Sequence, residues 1–167
     1  MEHFRREPIP YALVLSPTGG VIGVDDLQLH ADTRMIVPKT RVGPKRATLA
    51  FLWGNSSNAL GVSPDADGRW GYRLDRAAFV AFRDLHCSAL SRVVDPSVQA
   101  FLKFLRQWEP EQARLLPQVR EVVGSNLAFR FQYDDELLHE KHAAHVVWTR
   151  MQTTPITAVA ASHVGQD

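Results

Sequence analysis

A chain of 167 residues, 45% hydrophobic and 22% charged, can bury one real core and has the composition of an ordinary soluble fold. Its single cysteine, Cys87, excludes an internal disulfide and suits a reducing compartment. The net charge of +1 says nothing about partners, but its distribution does: between Arg34 and Arg73 seven Lys/Arg stand against two Asp.

The start, "MEHFRREPIP", is polar and proline-broken, unlike a secretory leader, and no run approaches the ~18 apolar residues of a membrane span. A soluble, cytoplasmic protein with no membrane partner is expected. Further on, "YALVLSPTGGVIGV" predicts a hairpin. Tyr11–Leu15 and Val21–Val24 are β-prone, Pro17 presets one turn dihedral, and Gly19 and Gly20 accept positive φ. "RMIVP" predicts a third strand stopped by Pro38, and "TLAFLW" a fourth. "SPDADGRWGYRL" is turn-rich, with a strand around Trp70–Leu74.

From Asp75 the period changes. Ala78/Phe79, Phe82, Leu85 and Ala89/Leu90 fall on one helix face. Asp95, an N-cap ahead of Pro96, opens a second helix with the stripe Val98, Phe101, Leu102, Leu105 and Trp108, ended by Glu109-Pro110. "PEQARLLPQVREVVG" reads as one or two short helices closed by Gly124. "LAFRFQY" alternates and predicts a strand over Leu127–Tyr133, and "HEKHAAHVVWTRM" a last helix. The order describes an α+β fold, a small, mostly antiparallel sheet packed with helices from the second half. One domain spans 1–151, with a loosely held tail over 152–167.

Motifs that carry chemistry mostly fail on spacing. "HEKH" sets its histidines three apart, where a zincin helix needs four, so His139, His142 and His145 read as exposed or half-buried helix histidines. "DADG" lacks the closing glutamate of a calcium loop, with Leu74 at that place. "TGGVIG" lacks the Lys-Ser/Thr of a phosphate loop. His86 and Cys87 are adjacent on a helix and point about 100° apart, which disfavours a nucleophile pair. Asp134-Asp135-Glu136, after a strand, reads as a solvated turn. The expectation is a non-enzymatic protein with no catalytic residue, cofactor or metal. A small hydrolase using Asp134 or His139 is the remote alternative.

What remains is "VPKTRVGPKRATLAFLWGNSSNALG", residues 37–61. Lys39, Arg41, Lys45 and Arg46 on a Pro/Gly-shaped segment can neutralise phosphates, which gives affinity without sequence information. The apolar run then ends in Asn55, Ser56, Ser57 and Asn58, and amide side chains can read base edges. The same residues also suit a surface loop leading into a core strand, with Asn55 and Asn58 bonding nearby backbone.

A further reading comes from order. "FRREPIPYALVLSPTGGVIGVDDL", "MIVPKTRVGPKRATLAFLWGNSSNALG", "AFRDLHCSAL", "FLRQWEPEQ", "NLAFRF" and "LLHEKHAAHVVWTRM" follow one another collinearly from about Phe4 to Met151. This set resembles the amino-terminal domain of the large subunit (Csd/Cas-eight type) of type I-C Cascade, the CRISPR interference complex of antiviral defence. That family shows a Pro-Ile-Pro-Tyr opening, a Phe-Leu-Trp-x-Asn block with Leu-Gly after it, Phe-Arg-x-Leu-His, Phe-Leu-x-x-Trp-x-Pro-Glu and Asn-Leu-x-Phe-Arg.

The resemblance implies recognition of the protospacer-adjacent motif and help in opening the duplex, while guide RNA reads the rest of the target. It implies double-stranded target DNA, crRNA-containing Cascade subunits and a recruited helicase-nuclease as partners. It also implies that the chain is a piece of a longer large subunit. Carried over by position, Asn55 becomes the base-edge reader and Lys39, Arg41, Lys45 and Arg46 the phosphate contacts; Ser56, Ser57 and Asn58 are secondary candidates. The alternative is a scaffold that docks onto the backbone subunits without base contacts, with Trp70, Tyr72 and Trp108 as anchors.

Overall fold

The computed structural model describes residues 2–29, 33–42, 48–66 and 71–153. The hairpin forms as its turn chemistry dictates, β2 (Tyr11–Leu15) antiparallel to β3 (Val21–Asp26), with a bulge between Val14 and Leu15. Gly19 at the turn has φ +87°, and a Cβ there would lie 2.5 Å from the Phe104 backbone nitrogen. Glycine is required for both reasons.

The returning strand β10 (Asn126–Phe131) inserts beside β2 in parallel and accepts β7 (Trp53–Asn55) antiparallel on its other edge. The sheet order is therefore β3-β2-β10-β7, mostly antiparallel with one parallel pair. Alternation along β2 and β10 gives it two unlike faces. Leu13, Leu15, Leu127 and Phe129 face the main core, built with α2 (Arg76–Ala89) and α3 (Pro96–Gln107). Phe129 is the hub: its ring lies 4.6, 5.8 and 6.1 Å from those of Phe101, Phe104 and Phe82. Burying each such side chain stabilises the fold by roughly 2–3 kcal/mol.

The opposite face carries Ala12, Ala128 and Trp53. Its small residues let a second layer come close, a two-stranded ribbon of β1 (Phe4–Pro8) and β4 (Arg34–Pro38) that brings Ile9 and Val37 onto it. The domain is thus helices, sheet, ribbon. This is the α+β architecture expected.

α2 and α3 each begin at an aspartate cap: the Asp75 carboxylate accepts from the Ala78 N–H, and the Asp95 carboxylate, the predicted cap, from the Ser97 N–H. The Pro110–Leu115 stretch winds as a 3-10 helix, followed by α4 (Val119–Val122) and Gly124 at φ +86°. Leu138–Glu140 is a further 3-10 turn, and α5 (His142–Thr153) closes the described chain. The expected tail from residue 154 on lies outside the described residues.

"FRREP", where no strand is expected, is β1, held by its pairing with β4. One expectation needs correction: "TLAFLW" is not one strand. It splits into β6 (Thr48–Leu49), paired with β5 (Arg41–Val42), and β7, with Leu52 between them at φ +64°. The strand near Trp70 is shorter than expected, β9 (Tyr72–Leu74), paired with β8 (Val62–Pro64).

Candidate nucleic-acid interface

The polar tip of β7 is set by a device inside the core. Leu52 is fully buried and left-handed, a conformation that costs a non-glycine residue on the order of 1–3 kcal/mol. What holds it is His86 on α2. The His86 Nδ1–H donates to the Phe82 carbonyl at 2.7 Å, which leaves Nε2 to accept the Leu52 N–H at 2.8 Å. Burial pushes the His86 imidazole down to about 4, with the Phe82 bond acting against that, so the ring is neutral and can accept. Past this corner, Gly54 lets Phe82 close in, since a Cβ would stand 3.1 Å from its ring.

Trp53 then donates its indole N–H to the Pro38 carbonyl at 2.9 Å. This bond ties the start of the basic segment to the strand that ends in Asn55. Next along the chain, exposed Lys39 gives its backbone N–H to the His3 carbonyl, and half-buried Arg41 lies on β5. Neither side chain makes an ion pair to a described residue. Lys45 and Arg46 lie outside the described residues.

Asn55 is half-buried and caps the short helix α1 (Ser56–Ala59). Its Oδ1 accepts the Ser57 N–H, and its Nδ2 donates to the Gly124 carbonyl at 3.1 Å. One N–H and one lone pair of the amide remain beyond these bonds. Asn58 donates to the Ala78 carbonyl on α2 at 3.1 Å, and Ser57 is half-buried beside it. Ser56 corrects the expectation of a ligand contact. It is fully buried, its hydroxyl donating to the Val62 carbonyl and accepting the Gly124 N–H, so its side chain joins loops rather than reaching outward.

Asn126 is a residue that sequence reasoning passed over. It stands opposite Asn55 in the β7–β10 register and donates to the Pro8 carbonyl at 3.0 Å. The end of β1 is thereby fastened beside the Asn55 tip. The available signal was the "NLAFRF" strand start, one amide read only as part of a strand.

Elsewhere, His139 is buried on the 3-10 turn, not exposed on the helix, and neither ring nitrogen has a hydrogen-bond partner among the described residues. Desolvation, with a smaller contribution from His145, pushes it down to about 4. His142 and His145 are exposed on α5. Among the described residues no three His, Cys, Asp or Glu come together as a metal site. Lys141 bridges Asp134 and Asp95. Burial opposes the charge on both Lys141 and Asp95. The Asp134 bond and the Asp95 charge nevertheless raise Lys141, while the Ser97 bonds and Lys141 lower Asp95.

The expected anchor Trp108 is also corrected: it is buried and donates to the Leu60 carbonyl at 2.9 Å. Tyr72 is half-buried, and Trp70 lies outside the described residues.

The family model described as CRISPR-associated protein (Cas_Csd1) matches residues 2–163. No curated protein matches the sequence. Since that match runs through every described element from β1 to α5, the chain belongs to the CRISPR-associated Csd1 family.

Proposed function

We propose that this chain is the flanking-motif recognition domain of a type I-C Cascade large subunit and acts by binding, with no chemistry of its own. In this reading Lys39, Arg41, Lys45 and Arg46 hold the duplex backbone. The remaining donor and acceptor of Asn55, with Ser57 and Asn58 beside it, meet the base edges of the protospacer-adjacent motif and help open the duplex. The observation that supports the reading is the Trp53–Pro38 bond, which ties Pro38, just before Lys39, to the strand that ends in Asn55. Target DNA, crRNA-containing subunits and the helicase-nuclease are the partners that follow.

The test uses the assembled complex and duplex probes with and without the cognate motif. Asn55→Ala would remove the helix cap along with the amide, whereas Asn55→Ser keeps a competent cap. Asn55→Ser is expected to reduce the cognate-to-noncognate affinity ratio about 5- to 150-fold, equivalent to the ~1–3 kcal/mol of one good base contact. The thermal midpoint should fall only by what the exposed Asn55–Gly124 bond contributes, about 1 kcal/mol or less. An unchanged ratio removes Asn55 from the reading.

A further inference from the structure

β3 is an outer strand of its sheet, and no described residue pairs with its free edge. The ladder fixes which groups lie there. The Leu27 N–H donates to the Pro10 carbonyl, so by the alternation of an antiparallel pair Asp25 and Gly23 also bond toward β2. The N–H and C=O of Val24 and Asp26 therefore point away from the sheet. Soluble proteins commonly blunt such an edge with charge or proline. Here charge is confined to one end, at Asp25 and Asp26, and the rest reads Val21-Ile22-Gly23-Val24, with Ile22 57% exposed.

The start of this edge opens on a cleft of about 430 Å³, lined by Gly19 and Val21 on the hairpin side and by Phe104, Trp108 and Leu116 on the helix side. Leu115, also in its lining, is 71% exposed. Val21 packs against the main core, so a residue opposite it on an added strand would share that face and reach the cleft. At the other end Arg130 answers Asp25 at 2.9 Å. The Asp26 carboxylate accepts from Gln28 and makes no ion pair to a described residue, which leaves its charge open to a cation.

We infer that the free edge of β3 receives an extended segment of a neighbouring protein subunit. The segment adds a strand to the sheet, seats a large apolar side chain in the cleft and sets a cationic side chain against Asp26. Main-chain bonds along the edge give such a contact its affinity, and the cleft and the acidic end give it selectivity. This rests on the reading of the chain as a Cascade subunit. The cleft lies at the opposite end of the sheet from Asn55, so docking and motif contact need not compete.

The test titrates labelled chain onto the crRNA-bound complex assembled from the other subunits. Ile22→Lys and Leu115→Glu should each weaken association about tenfold or more, as losing a buried apolar anchor does. Val94→Lys, at a site 88% exposed before the far end of α3, should leave it unchanged. Asp26→Asn keeps the acceptor for Gln28 and should weaken association about two- to fivefold at low salt and not at high salt. Thermal midpoints of the free variants check folding. Hydrogen exchange reads the added strand directly. The Val24 and Asp26 amides should slow about tenfold or more on assembly, while Gly23 and Asp25 are already slow in the free chain. Unchanged association in Ile22→Lys and Leu115→Glu overturns the inference, as does an equal loss in Val94→Lys or weakening without protection at Val24 and Asp26. Protection present in the free chain and rising with its concentration would make the occupant a second copy and overturn it too. A salt-independent Asp26→Asn overturns the cationic partner. In all these cases the motif reading survives if Asn55→Ser still relaxes discrimination. A chain that never joins the complex contradicts both.

Discussion

His86 shows how one residue can set a site it never touches. Its neutral ring satisfies the N–H of a buried, left-handed Leu52, and that corner aims β7 toward its polar end. Removing the acceptor in His86→Leu leaves a buried donor unpaired, and a loss of about 2–4 kcal/mol is expected from chemical unfolding. The same burial makes stability depend on pH. His86 and His139 titrate near 4 in the folded chain and near 6.5 unfolded, so the unfolded state binds more protons between those values. Their contribution is complete above about pH 6.5 and is lost as pH falls toward 4, on the order of 3 kcal/mol for each ring. Urea midpoints measured from pH 7.5 to 4 should fall steadily; a flat profile would contradict the two neutral, buried imidazoles.

At the scale of elements, the legible parts were those whose signals are local. Pro17, Gly19 and Gly20 announce the hairpin, Asp95-Pro96 announces α3, and the alternation of "LAFRF" announces β10. The close fit of that hairpin to α3 makes a sharp prediction. Gly19→Ala combines positive φ with a contact against the Phe104 amide, and should destabilise by about 2–4 kcal/mol in thermal or urea unfolding. A neutral Gly19→Ala would mean the turn does not sit on the helix. The illegible parts depend on distant partners. "FRREP" becomes a strand only because β4 pairs with it, and "TLAFLW" breaks because an imidazole 34 residues on holds Leu52. Ser56 looked like surface because it stands among polar residues. Its burial comes from Val62 and Gly124, which meet it only in the fold.

For the whole molecule, the layers explain why the asparagine tip and the cations share one region. Helices stabilise one face of the sheet, and the ribbon, drawn close over Ala12 and Ala128, carries its arginines to the other. Family membership sets the CRISPR context, and the tip beside the basic segment gives the proposed contact its place. The most direct measurement is photocrosslinking in the assembled complex. Ser57→Cys in a Cys87→Ala background carries a short photoactivatable group, and the target duplex is labelled at each flanking position. Crosslinks are expected at the flanking-motif nucleotides and should be lost on a probe lacking the motif. Crosslinks confined to neighbouring protein subunits, whatever the probe, would contradict the account.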